Sequence, residues 1–177
     1  MFVSSTISGE EAGNILSSKK SFFPFRIKRS HLFPLKMELI HLPFYLFDVF
    51  VEEEGKKQKE TLAVDGLVGH AVFFTKEILR FEKNASNVFS EFELSPSEAQ
   101  RIAFNEYRGL LLEHGLRTRR FPKAEEISDG RKIFYPFWLG YFKKRKGYDF
   151  KALDAVSGEI QGIKMRKLFL KAFREMN

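Results

Sequence analysis

Leu153-Asp154-Ala155-Val156-Ser157-Gly158 repeats, 89 residues on, the pattern of Val64-Asp65-Gly66-Leu67-Val68-Gly69: an apolar residue, then Asp, then Gly four places after the Asp. Asp bonds its own local backbone and Gly supplies a positive φ, so each hexapeptide predicts a turn between two strands. Two more signatures lie upstream of both, in the same order. Leu42-Pro43-Phe44-Tyr45-Leu46 is matched by Tyr135-Pro136-Phe137-Trp138-Leu139 at an offset of 93. Each opens an aromatic and β-branched run, which predicts a strand with Pro at its first position, where a sheet tolerates it. Ile7-Ser8-Gly9-Glu10-Glu11-Ala12 is matched by Leu94-Ser95-Pro96-Ser97-Glu98-Ala99 at an offset of 87. Both are capping boxes: the Ser hydroxyl accepts from the N3 amide, the Glu reaches back to the cap, and Pro96 stands at N1, where no amide hydrogen is needed.

Three signatures in one order at nearly constant offsets predict a tandem duplication. The expected fold class is α+β: two tandem units, each a helix packed on a curved antiparallel sheet, with an added C-terminal helix. The first unit is placed over residues 1–80 and the second over 81–177.

In the second unit Ala99, Ile102, Ala103, Tyr107, Leu110 and Leu111 recur at helical spacing. They predict a helix of about five turns with Gly115 as its left-handed C-cap. Residues 117–132 read as a basic loop, 134–142 as a strand, 143–147 as a hairpin tip, 148–156 as the returning strand and 159–163 as a third strand. The first unit reads as a short helix over 9–16, a connection containing Phe22, Phe23, Pro24 and Phe25, and strands near 35–40, 45–51, 61–64 and 68–74. A polar connection over 75–92 suits an added edge strand. The run 165–176 returns to helical spacing, with Met165, Leu168, Phe169, Ala172, Phe173 and Met176 on one side. That stripe suits docking on the protein's own sheet or lying on an anionic membrane.

The chain has 177 residues, 44% hydrophobic and 30% charged, the composition of a globular protein with a real core. Its 21 Phe against one Trp and five Tyr must fill sheet-packed cores or lie on apolar surface. With no Cys, disulfides, thiolate nucleophiles and Cys-ligated metals are excluded. The start Met1-Phe2-Val3-Ser4-Ser5-Thr6-Ile7-Ser8 shows no basic n-region or apolar h-region, and no later stretch has the roughly 18 apolar residues of a spanning helix. A cytoplasmic protein is therefore expected, with association at the cell envelope left open. Net charge is +7, and residues 101–177 hold 18 Lys and Arg against 9 Asp and Glu, so the excess lies in the second unit.

The Ser-x-x-Glu-Ala helix start, the aromatic Pro-Phe-Trp or Pro-Phe-Tyr strand, the Gly-containing hairpin and Leu153-Asp154-Ala155-Val156-Ser157-Gly158-Glu159-Ile160 together resemble PepSY-like modules. These are small units in which one helix packs on a curved antiparallel sheet, similar in shape to cystatins. Residues 95–162 are the closer copy. In the first, Asp65-Gly66-Leu67-Val68-Gly69-His70 lacks the Ser-Gly-Glu ending and the helix is short. The resemblance implies a non-enzymatic binding or regulatory module and carries over no catalytic residue; no cofactor or metal is expected.

On this reading a peptide or protein partner is held by the aromatic strands, with Tyr45, Phe47, Trp138, Tyr141 and Tyr148 as candidate contacts. The alternative is a nucleic-acid or anionic membrane-surface binder. It would use a basic patch of Lys143, Lys144, Arg145, Lys146, Arg117, Arg119 and Arg120, although a solvated hairpin tip explains the first four as simply. His31, His41, His70 and His114 show no metal-ligand spacing. Asp65 and Asp154 read as turn residues in preference to a pair of catalytic acids. Glu52-Glu53-Glu54 at one hairpin tip and the Lys143-Lys144-Arg145-Lys146 run at the other would allow head-to-tail self-association.

Overall fold

The computed structural model of the protein describes residues 1–17, 33–53, 55–73, 79–83 and 87–175. Among them are three helices, α1 (Gly9–Ser17), α2 (Pro96–Thr118) and α3 (Ile163–Glu175). The strands are β1 (Phe2–Val3), β2 (Lys36–Glu53), β3 (Lys56–Asp65), β4 (Ala71–Phe73), β5 (Phe81–Glu82), β6 (Lys123–Ile127), β7 (Arg131–Lys143) and β8 (Tyr148–Asp154). All eight join one curled sheet, ordered β4-β3-β2-β7-β1-β5, with β6 on β2 and β8 on β7. The connection with Phe22, Phe23, Pro24, Phe25 and His31 lies outside the described residues.

Where the sequence suggests two strands separated at Pro43, the chain runs on as one 18-residue strand. Pro43 lies inside β2 and Pro136 inside β7, and the register explains why neither breaks the sheet. On the outer edge of β2, His41 bonds residues 87 and 89 (His41 N to Asn87 O, Phe89 N to His41 O, each 3.0 Å), and from Phe44 onward the partner is β3. Pro43 stands where one partner gives way to the next, and its carbonyl accepts Gly66 N at 2.8 Å. On β7, Phe134 N bonds Met1 O at 2.9 Å, Pro136 O accepts Ala155 N at 3.2 Å, and β8 begins opposite Phe137. A residue's N–H and C=O point to the same edge, so each proline lacks its donor at a gap between partners.

The β2–β7 ladder is antiparallel and sets Leu42 opposite Tyr135, the first residues of the two Pro-Phe signatures. A half-turn about that pair exchanges the two strands. Under the same exchange Phe44↔Asp65 answers Phe137↔Asp154. Asp65 N bonds His70 O at 3.0 Å, and Asp154 N bonds Glu159 O at 2.9 Å. Gly69 and Gly158 take φ of 81° and 75°, the left-handed conformation that the sequence pattern expects of both.

The helices cross over. α1 packs on β7, β8 and the start of β2, while α2 packs on β3, β6, β2 and β4. Their anchors correspond: Ile7 N bonds Ala155 O at 3.0 Å, and Leu94 N bonds Gly66 O at 2.9 Å. Trp138 Nε1 donates to Ile7 O at 2.9 Å, and Tyr45 Oη donates to Leu94 O at 2.7 Å. Ser8 Oγ accepts from Glu11 N at 3.2 Å, and Ser95 forms the full capping box with Glu98.

Alternating strand residues divide the core between the two faces of the sheet. On one face Ile40, Leu42, Phe44, Leu46, Tyr135 and Phe137 pack with Met165, Leu168, Phe169 and Ala172 of α3, so the C-terminal apolar stripe docks on the protein's own sheet. Burying a side chain such as Phe169, which is fully enclosed, contributes about 2–3 kcal/mol. On the other face Tyr45, Phe47 and Val49 meet Ala99, Ala103 and Tyr107 of α2, and Trp138 and Leu153 meet Ala12 and Leu16 of α1.

Three local expectations change. Gly115 does not cap α2, which continues to Thr118 and ends on Arg119 at φ 61°. Gly115 is required by close approach instead, because a Cβ there would collide with the Phe121 ring. The basic loop contains strand β6. The third strand over 159–163 is reduced to one bridge, Leu153↔Ile160, before α3 begins at Ile163.

Candidate binding cleft

The two hairpins built on the matched signatures differ in reach. Residues 44–53 pair with 56–65, whereas only 137–143 pair with 148–154. The longer first hairpin gains β6 along residues 49–52 of β2 and lies under the second half of α2. Ala99, Ala103 and Tyr107 seal α2 against the sheet at 0%, 0% and 2% exposure. Past Tyr107 helix and hairpin no longer close on each other: Leu110 is 41% exposed and Leu116 78%.

A cleft of about 260 Å³ opens at that parting. Val51 and its cross-strand partner Gln58 form the floor, and Leu110, Leu111, His114 and Arg117 continue the Tyr107 stripe of α2 as one wall. Pro122, just before β6, and Glu60 complete the lining. Tyr107 Oη donates to Glu60 Oε2 at 2.9 Å, which ties helix to hairpin at the inner end. Burial first, and the Glu60 carboxylate second, push the Tyr107 hydroxyl far above its ordinary pKa, so it remains a donor. Arg117 has no ion pair among the described residues. Arg119 and Arg120 follow it, and both are exposed.

The candidate aromatic contacts are dispersed. Tyr45 and Phe47 are fully buried beneath α2 and offer a partner no surface. Trp138 is half-buried under α1, and Tyr141 is half-buried with Oη donating to Glu38 at 2.8 Å. Burial, and then Glu38, push the Tyr141 hydroxyl upward. Tyr148 alone of the five stands well out, at 75% exposure.

The basic residues also separate. Lys143, Lys144, Arg145 and Lys146 are exposed at the β7–β8 tip, where Lys144 and Arg166 both pair with Asp149. These partners, Lys144 foremost, hold Asp149 down at about 2. Arg117, Arg119 and Arg120 lie by β6 at the far end of β2, roughly 50 Å of strand away at 3.3 Å per residue. They do not form one patch with the β7–β8 tip. On the first hairpin the register sets Glu52 opposite Lys57 and Lys123.

His41 is buried with its ring edge-on to Phe2 at 5.6 Å, and His70 Nδ1 lies 3.6 Å from Asp65 Oδ2. Among the described residues no three His, Asp or Glu side chains are grouped to hold a metal ion. No described helix is long and apolar enough to cross a membrane. Asp65 and Asp154 are occupied as turn residues. Asp65 Oδ1 accepts Leu67 N and Val68 N at 3.0 and 2.7 Å, and Asp154 Oδ1 accepts Val156 N and Ser157 N at 2.8 and 2.9 Å.

Sequence reasoning missed the cleft as a site. Tyr107, Leu110 and Leu111 are legible as a helical stripe, but that reading takes all three for core. The available signal was length: the helix after Ser95 and the hairpin after Phe44 are each longer than the helix after Ser8 and the hairpin after Phe137. Neither a known family, nor a curated protein, nor a solved structure matches the chain.

Proposed function

We propose that this protein is a non-catalytic binding or regulatory module whose cleft between α2 and the β2–β3 hairpin receives a peptide or protein partner. The scaffold reads as two PepSY-like copies, each lending its leading strand and helix to the sheet of the other. The corresponding anchors at Ile7 and Leu94, and the corresponding registers at Asp65 and Asp154, support that reading. What the copies share is accounted for by folding, so half-specific work belongs where they differ. The observation that carries the proposal is the cleft itself, about 260 Å³ and lined by apolar and polar groups together, at the place where the longer hairpin, β2–β3, meets the longer helix, α2.

Panning a random-peptide display library on the whole protein tests it, with Leu111→Glu as the counter-selecting variant. Peptides that bind the native protein and are lost on the variant are expected. Enrichment indifferent to Leu111 would remove the cleft from the proposal.

The anionic-partner reading rests on the exposed Lys143, Lys144, Arg145 and Lys146 tip. Heparin titration at rising salt checks it: binding that weakens steeply with salt, and on changing these four residues to Ser, would favour that surface over the cleft.

A further inference from the structure

The cleft has chemical polarity along its length, and this restricts what fits. At the inner end Glu60 already accepts the Tyr107 hydroxyl, so this end presents a carboxylate that repels anions. Leu110, Leu111, Val51 and Pro122 line the middle. At the outer end stands Arg117, without an ion pair among the described residues, followed by the exposed Arg119 and Arg120. A guanidinium presents a planar fork of donors that matches a carboxylate in two parallel hydrogen bonds, and it stays charged at any working pH. The volume of about 260 Å³ suits one large side chain and little more.

Resting on the binding reading above, we propose that the cleft takes the C-terminal residue of a peptide. A Leu- or Phe-sized side chain lies among Leu110, Leu111, Val51 and Pro122, and the terminal carboxylate lies on Arg117. The carboxylate and the side chain of a final residue leave the same Cα, so one residue spans the apolar middle and reaches the basic mouth. The Glu60 carboxylate disfavours an anion at the inner end, so the terminal carboxylate is placed at the Arg117 end.

A second cleft, of about 190 Å³ and lined in part by Phe150, Gln161, Ile163 and Arg166, lies in the other half, but its Arg166 is engaged. At the corresponding hairpin, Lys144 and Arg166 already neutralise Asp149, and Arg166 also donates to Phe150 O at 2.8 Å. These two cations are committed to the fold.

The test is titration of acetyl-Gly-Gly-Phe as the free acid, and of the same peptide as its C-terminal amide, into the whole ¹⁵N-labelled protein, followed by amide shifts. The free acid is expected to move Val51, Gln58, Leu111 and Arg117. The amide is expected to bind roughly tenfold more weakly, the loss of one charge-assisted pair. Arg117→Gln should weaken the acid by a similar factor and leave the amide unchanged, while Lys146→Gln at the distant tip changes neither. Acid and amide binding alike at the cleft would overturn the carboxylate assignment and leave the binding reading standing. Failure of both peptides to shift these residues, while display-selected peptides do shift them, would overturn the C-terminal assignment alone. Failure of every peptide would overturn both.

Discussion

The turn at Asp65 and the turn at Asp154 trace the same backbone path and satisfy their carboxylates differently. Asp65 is fully buried and relies on main chain: it accepts Leu67 N, Val68 N and, at 2.5 Å, His70 N. Asp154 accepts Val156 N and Ser157 N and is completed by the Tyr135 hydroxyl at 3.0 Å. Tyr135 has Leu42 as its counterpart across the sheet, and Leu42 offers no hydroxyl, so the first turn draws on its own amides instead. One loop geometry therefore survives a change of neighbour provided the buried carboxylate keeps a full set of donors. Burial, then the Asp154 charge, drive the Tyr135 hydroxyl far upward, which keeps it a donor at every ordinary pH.

The most severe way to break the correspondence is to cut it. Expressed separately, residues 1–83 and 84–177 should each fail to give a folded spectrum, because the cut parts β2 from β7, α1 from β7 and β8, and α2 from β2 and β3. Mixed, they should recover the native far-UV circular dichroism, and the loss on separation is the whole folding free energy, of the order of 5–15 kcal/mol. A dispersed amide spectrum from either piece alone would show that the crossed helices are dispensable.

Next in size are the two turn acids. Asp65→Ala orphans more main-chain amides in a fully buried place and should cost about 3–4 kcal/mol, against about 2–3 kcal/mol for Asp154→Ala. Urea melts of both variants measure the gap, and an equal or reversed order would mean that the Tyr135 hydroxyl matters more than the extra amides. Tyr45→Phe and Trp138→Phe come after, each removing one hydrogen bond to the residue that leads a helix. Tyr45→Phe keeps the ring and should cost about 1 kcal/mol. Trp138→Phe also removes ring volume beneath α1 and should cost about 2 kcal/mol in thermal or chemical melts.

The smallest effect is electrostatic and belongs to the second half alone. Asp149 is held at about 2, below its ordinary 3.8, by Lys144 and then Arg166. A carboxyl whose folded pKa is depressed stabilises the fold above its unfolded pKa and loses that contribution as pH falls through the folded value. Asp149→Asn should thus cost roughly 0.5–1 kcal/mol at neutral pH, a figure kept small by solvent screening, and the difference should shrink between pH 4 and 2. Parallel thermal melts across that range check it, and a gap that persists at pH 2 would place the effect in packing.

How far the fold was legible depends on the range of the forces involved. Ser95 with Glu98, Asp65 with Gly69 and Asp154 with Gly158 are local devices whose partners lie within five residues, and each acts as its pattern predicts. Pro43 and Pro136 misled, because tolerance of Pro in a strand depends on what lies at its edge, which is set by residues 1–3, 65–66, 87–89 and 154–155. Gly115 misled in the same way, its space being taken by Phe121 from the following loop. Of the candidate contacts, Tyr45 and Phe47 are hidden by α2, an element whose destination no periodicity encodes.

The residues themselves determined the α+β class, the two capped helices, the two Asp–Gly turns and the amphipathic C-terminal helix, since each rests on hydrogen bonds or apolar periodicity within a few residues. Tertiary structure alone decided that the strands form one sheet, that each leading helix crosses to the other half, and that a longer hairpin and a longer helix part to leave a cleft. Those outcomes depend on which apolar faces meet and what register the ladders adopt, and such choices are made by summed packing over the whole chain, which no local pattern records.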